Sequence, residues 1–309
     1  MSTTSFRVRA YAKINLSLAV GPVRTDGYHP LETVFQSLAL HDTLAATVRR
    51  GVFALTCTDP GVPADTRNLV WRAAQRLWEA LGRRGEPHGV AIAIDKHIPM
   101  QAGLGGGSAD AAAALVVLHH IWTPRGTTID LAAIAAGLGA DVPYFLMGGT
   151  ALGLGRGDDL YPLADAPPYH VVLAMPGFGV STAAAYGWLD ADRAAGVTIH
   201  PGNGAAGGGL PLWPGRNLLV VNDLEASVLR RHPELARVRA ALAGAGARAA
   251  AMTGSGSAVF GLFDTDARAR RAAEAVAGGG TIALLTRTVD RRTCQRVHFS
   301  FASSSPRHA

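Results

Sequence analysis

Residues 99–114 read Pro-Met-Gln-Ala-Gly-Leu-Gly-Gly-Gly-Ser-Ala-Asp-Ala-Ala-Ala-Ala. Gly103, Gly105, Gly106 and Gly107 precede Ser108 and an alanine-rich apolar run that ends near Trp122. Glycine has no Cβ, so backbone N–H groups can converge on one point and approach a ligand closely. Ser108 can cap the following helix, and a helix N-terminus attracts anions through its unpaired N–H donors. The stretch reads as a phosphate cradle, or more plainly as a tight strand-to-helix turn with a serine cap. Two familiar phosphate loops are excluded. There is no Gly-x-x-x-x-Gly-Lys-Ser/Thr, and Ser108 stands where a dinucleotide fingerprint needs glycine or alanine.

Upstream, residues 7–20 alternate. Val8, Ala10, Ala12, Ile14, Leu16, Leu18 and Val20 point one way, and Arg9, Tyr11, Lys13, Asn15 and Ser17 the other, which predicts a strand with one buried face. Lys13 and Asn15 then stand side by side. Asp26-Gly27-Tyr28-His29-Pro30 is a turn whose tyrosine can stack on a planar base and whose histidine can hydrogen-bond the base edge; a packed tyrosine beside a surface histidine is the plainer alternative. Strands are expected near 31–40, 43–49 and 52–57. A helix near 67–81 carries a core stripe through Leu69, Val70, Ala73, Leu77, Trp78 and Leu81. The strand Val90 to Ile94 leads through Lys96 into the glycine loop, and the helix after the loop is expected over 108–121.

Downstream, Asp130 is placed to cap a helix through Leu138. In Gly139-Ala140-Asp141-Val142-Pro143, Pro143 suits a first helical turn, so Asp141 is an N-cap or a carboxylate held as a base. Gly148-Gly149-Thr150 opens a strand into a glycine-rich turn over 153–158. The second half starts with the strand His170 to Met175. Ser181 or Thr182 caps a helix bearing Tyr186 and Trp188, and residues 196–215 read as a surface loop. Helices are expected near 222–231, 233–243 and 266–277, with strands over 258–263 and 281–286. Met252-Thr253-Gly254-Ser255-Gly256-Ser257 is a second glycine and serine loop able to offer donors to phosphate.

The chain has 309 residues, 48% of them hydrophobic and 17% charged, which fits two domains or one large two-lobed unit and excludes a disordered chain. The net charge of +6 comes without a basic tract interleaved with aromatics. It suits a polyanionic small molecule, and no nucleic-acid partner is expected. Cys57 and Cys294 form no metal-binding or disulfide pattern and fit a reducing cytoplasm. No signal peptide or membrane-spanning run is evident.

Taken together and in order, Ala12-Lys13-Ile14-Asn15-Leu16, Asp26-Gly27-Tyr28-His29, the loop over 99–112, Gly139-Ala140-Asp141-Val142-Pro143 and Thr253-Gly254-Ser255-Gly256 resemble the GHMP kinase superfamily. The two glycine loops are shared across it. The Asp-Gly-Tyr-His turn and Gly-Ala-Asp-Val-Pro are much more specific to the member acting on a cytidine diphosphate conjugate of methylerythritol in non-mevalonate isoprenoid synthesis. The resemblance implies γ-phosphoryl transfer from ATP, with Mg2+, to the 2-hydroxyl of that conjugate. It makes Asp141 the base and Lys13 the residue that orients it and stabilises charge. Pro99, Met100, Gln101, Ala102, Gly103, Leu104, Gly105, Gly106, Gly107, Ser108 and Ala109 match the ATP loop, with Ser108 the candidate near the metal and Lys96 on the adenosine side. Met100-Gln101-Ala102 replaces a more glycine-rich opening seen in some members. Asn15, Tyr28, His29, Thr182, Tyr186, Gly254 and Ser255 fall with the substrate, Tyr186 replacing a phenylalanine.

A kinase for mevalonate-type or homoserine-type alcohols is disfavoured by the Tyr28-His29 turn, and a silent nucleotide-binding protein by Lys13 and Asp141 together. The implied architecture is α+β and two-lobed. An N-terminal lobe over 1–163 has a mixed sheet and helices, a ferredoxin-like C-terminal lobe spans 164–302, and 303–309 form a disordered tail. The site lies in the cleft between the lobes of a monomer or weak homodimer.

Overall fold

Strand β1 (Ser5–Val20) is the spine of the molecule, and in this computed structural model it is flanked by both halves of the chain. Residues 4–197 and 220–296 are described. The loop expected over 196–215 lies outside them from residue 198 on, as does the expected tail.

The alternation read over residues 7–20 is present, but the single buried face is not. From Ala10 to Leu16 every residue is buried, Lys13 and Asn15 included. One edge of β1 pairs antiparallel with β2 (Leu31–Val52), with register shifts between Tyr11 and Lys13 and between Asn15 and Ser17. The strands expected over 31–40 and 43–49 are this one strand. At 22 residues it would run about 70 Å if straight, and it serves two neighbours. Its first part pairs with β5 (Thr150–Gly155), and its last part with β4 (His88–Asp95). The short β3 (Ala54–Cys57) lies parallel to β4, and β6 (Asp159–Pro162) extends the sheet beyond β5.

Helices cover this first sheet. Asn68 caps α1 (Leu69–Ala80) by accepting from the Val70 N–H. α2 (Gly106–Trp122) lies against β1 and α1, its run Ala111, Ala112, Ala113 and Ala114 buried. Alanine lets a helix approach a sheet closely, and a helix apolar on most sides belongs inside. Asp130 caps α3 (Leu131–Leu138) through the Ala133 N–H, as its position predicts, and the short α4 (Val142–Met147) follows.

The second sheet runs β11 (Ile282–Arg287), β7 (His170–Met175), β10 (Val259–Phe263), β9 (Ala249–Met252), all antiparallel. Numbered along the chain this order is 4-1-3-2, the ferredoxin-like arrangement. Its helices are α5 (Thr182–Ala194), α6 (Glu225–Arg231), α7 (Pro233–Gly244) and α8 (Asp266–Val276), with a single turn α9 (Arg291–Cys294) beyond the sheet. β9 was not expected: four residues reading Ala-Ala-Ala-Met carry no strand signature of their own.

The two sheets share a core. Ile14, Leu16, Val34 and Leu104 pack in one cluster with Val171, Leu173, Phe260 and Leu262. β8 (Val221–Asn222), from the second half, pairs parallel with β1 at Ser17 and Leu18.

Candidate active site

The free edge of β1 builds the site. The Lys13 N–H donates to the Leu104 carbonyl of the glycine loop at 3.0 Å. The Asn15 N–H donates to Thr253 Oγ1 of the second loop at 3.1 Å, and β8 takes over at Ser17. The two loops are thus docked side by side on one strand. Asn222 fixes the second by donating to the carbonyls of Met252 (2.9 Å) and Gly254 (2.8 Å). The loops also touch: a Cβ on Gly103, whose φ is +76°, would overlap the Thr253 carbonyl oxygen. Gly105, at φ +73°, could carry no Cβ without meeting the Phe145 ring 2.5 Å away. Glycine is required at both positions on steric and conformational grounds.

Between the loops lies a cleft of about 610 Å³. Lys13, Asn15, Lys96, residues 99–108, Asp141, Thr182, Tyr186, Gly254 and Ser255 line it. Ala109 does not, being buried in the α2 core. Lys13 Nζ donates to Asn15 Oδ1 at 2.7 Å and stands 3.7 Å from Asp141 Oδ2. Burial pulls the Lys13 ammonium below its ordinary range, and the Asp141 carboxylate works against that pull. Asn15 passes the network on, donating to Thr33 Oγ1 at 2.8 Å. Asp141 precedes α4 but accepts no capping bond, so its carboxylate is turned to Lys13. Tyr186 is pushed up to about 12, first by burial and then by the Asp141 charge, so its phenol stays protonated.

Two expectations need correction. Ser108 does not cap α2. The cap position is Gly105 in a left-handed conformation, and the helix has already begun at Gly106, leaving the Ser108 side chain on the cleft wall. His29 does not face the cleft. Its Nδ1 donates to the Gly21 carbonyl at 2.9 Å, its Nε2 is 3.3 Å from Asp190, and its ring stands 5.1 Å from that of Tyr186. Both ring nitrogens are engaged, so His29 supports Tyr186 rather than offering an edge to a base. Tyr28 stands outside at the rim, half exposed, under the Arg156 guanidinium at 5.0 Å. Lys96, on the cleft wall, is not a free cation. It sits beneath Gly106, bonded to Asp42 and, at 2.8 Å, to Asp110. Burial opposes its charge, but Asp110 and then Asp42 outweigh it and hold Lys96 above the usual range. Asp110 is raised by burial and by the Asp42 charge to about 7.

Sequence reasoning missed Thr33, Phe35, Arg156 and Asn222. Arg156 had a signal, a lone cation in the glycine-rich turn after β5. The others depend on partners far away in the chain.

A double loop docked on one strand, with a lysine and aspartate pair at its floor, is the frame of a small-molecule phosphotransferase. Comparison with known families agrees. Residues 68–149 match the model for the GHMP kinases N terminal domain, and residues 213–286 that for GHMP kinases C terminal. The chain belongs to the GHMP kinases. Within that family it is 44% identical, over 87% of this chain and 93% of the relative, to the 4-diphosphocytidyl-2-C-methyl-D-erythritol kinase of Chlorobium luteolum. A crystal structure of 4-(cytidine 5'-diphospho)-2C-methyl-D-erythritol kinase covers 91% of this chain and 98% of its own, at 37% identity and a TM-score of 0.71. Homoserine kinase from Cytophaga hutchinsonii, at 20% identity and a TM-score of 0.64, shares the fold.

Proposed function

We propose that this chain transfers the γ-phosphoryl group of ATP to the 2-hydroxyl of 4-diphosphocytidyl-2-C-methyl-D-erythritol, a step of non-mevalonate isoprenoid synthesis, with Asp141 as base and Lys13 as the orienting cation. The observation that carries the reading is the Lys13–Asp141 pair at 3.7 Å on the cleft floor between two glycine loops.

The hydroxyl oxygen attacks the γ-phosphorus while the Asp141 carboxylate takes its proton, and the bond to the β-phosphate oxygen breaks with its electrons leaving on ADP. Such a transfer needs positioning and charge neutralisation more than covalent help. Lys13 supplies both: Asn15 aims its ammonium, and the Asp141 carboxylate opposes the loss of its charge on burial. The loop over 103–108 fits a polyphosphate: its glycines line the cleft and lead directly into the N-terminus of α2, where unpaired N–H donors attract anions. Tyr186 is the wall against which the base rests.

Among the described residues no cluster of three metal-ligating side chains exists. Mg2+ fits the site as an ion carried by ATP and water, which it tolerates well, with the Ser108 hydroxyl a candidate protein oxygen on the loop wall. It would neutralise phosphate charge there. The reading takes a cytoplasmic enzyme, monomeric or weakly dimeric, working on small molecules and not on nucleic acid. Among the described residues no helix is long and apolar enough to cross a membrane.

The test is a product assay with ATP, Mg2+ and the cytidine conjugate beside mevalonate and homoserine. Phosphorylation of the conjugate alone is expected; phosphorylation of another alcohol instead would overturn the substrate assignment.

A further inference from the structure

The substrate of the reading above joins a base to a polyol through a diphosphate, so the cleft must meet two negative charges between its base end and its reacting end. Among the described residues three cations line it: Lys13, Lys96 and Arg156. Lys13 is held by Asn15 and Asp141 at the reacting hydroxyl. Lys96 is enclosed by Asp42 and Asp110 beneath the glycine loop, its side chain 5% exposed. Arg156 alone is uncommitted. Its side chain is 48% exposed, and its one acidic neighbour, Asp158, stands at 3.9 Å.

Its place along the sheet is the right one. Arg156 follows Gly155, which pairs with Leu31. Two residues further along β2, Thr33 accepts from Asn15, and Asn15 accepts from Lys13. On the opposite side the Arg156 guanidinium overlies the Tyr28 ring. One line therefore runs from the Tyr28 turn through Arg156 to Thr33 and Asn15, and on to Lys13 and Asp141. In that order a base, a diphosphate and a hydroxyl meet an aromatic rim, a guanidinium and the reacting pair.

We propose that Arg156 binds the diphosphate of the substrate and so selects nucleoside diphosphate conjugates over free alcohols. A guanidinium presents a planar fork of donors that matches phosphate oxygens two at a time. Its stacking on Tyr28 holds that fork in place, because a cation over an aromatic face is attracted to it. The proposal rests on the phosphoryl-transfer reading and assigns the substrate diphosphate within it.

Calorimetric titration of the full-length protein with cytidine and with cytidine 5'-diphosphate tests it, for the wild type, Arg156→Ala and Arg156→Lys. Arg156→Ala should weaken the diphosphate about ten-fold or more, as loss of a charged hydrogen bond does, while cytidine binds as before. Arg156→Lys should recover part of the loss. In steady state the KM for the conjugate should rise in Arg156→Ala with the KM for ATP unchanged. Equal diphosphate affinity in wild type and Arg156→Ala, in an enzyme that does phosphorylate the conjugate, overturns this inference and leaves the proposed function standing. Parallel weakening of cytidine and its diphosphate also overturns it, by reducing Arg156 to a support for Tyr28. A wild type that neither binds the diphosphate nor phosphorylates the conjugate overturns both.

Discussion

Burial disfavours the charge of an ammonium, and at Lys13 the group that opposes this is Asp141. The two were 128 positions apart in a string of letters; what linked them was motif order, not any local pattern. Asp141→Asn should lower turnover by about two or more orders of magnitude, the usual cost of a positioned base, with ATP affinity largely kept. Near wild-type turnover would remove Asp141 from the role.

The Asp42–Lys96–Asp110 group was illegible for the opposite reason, since each residue taken alone looks like a solvated charge. Two carboxylates share one ammonium there, all three buried or nearly so. Asp110 is raised from 3.8 to about 7. Between those values the folded protein holds a proton that the unfolded chain has released, so stability falls as pH rises through that window and stays lowered above it. Asp110→Asn removes this titration and can still accept from Lys96. Thermal unfolding should show the variant gaining on wild type from pH 5 to pH 8; an equal offset at both would count against the assignment.

Among the elements, α2 shows how a correct motif can yield a wrong detail. Glycines followed by serine announce a helix start, and the helix is there. It begins two residues before Ser108 because left-handed Gly105 ends the turn and Gly106 can enter the helix at once. The β1 alternation was legible in the same partial way. Its polar face was read as solvated because a strand does not reveal what will cover it. Here the cover is the pair of loops over Lys13 and Asn15, which accept from the β1 backbone through the Leu104 carbonyl and the Thr253 hydroxyl. The docking makes a sharp demand on Gly103. Gly103→Ala needs a left-handed alanine, costing about 1–3 kcal/mol, and places a methyl on the Thr253 carbonyl. It should lower the urea midpoint and weaken ATP binding together. Loss of neither would mean the loops are not packed as described.

At the level of the whole chain, the fold class and its ferredoxin-like second sheet were legible from alternating helix and strand signals joined to the motifs. What was not legible is how deeply the halves are stitched. β8 pairs with β1, the Val289 N–H donates to the Ser37 carbonyl, and Arg291 donates to the carbonyls of Thr150 and Leu163. The Asp223 carboxylate accepts from the Val20 N–H, and one apolar cluster draws on both sheets. These are long-range pairings with no periodic trace. They predict one cooperative unfolding transition in calorimetry, with calorimetric and van't Hoff enthalpies in agreement. Two separable transitions would show the halves to be independent.

Because both glycine loops hang from one strand, at Lys13 and Asn15 two positions apart, the two loops share a single support. Parting them would break a bond to that strand, so the slot between them is expected to keep its width as it fills. Initial-rate kinetics should then show ATP and the alcohol binding in either order; a strict order would mean that one substrate reshapes the slot for the other.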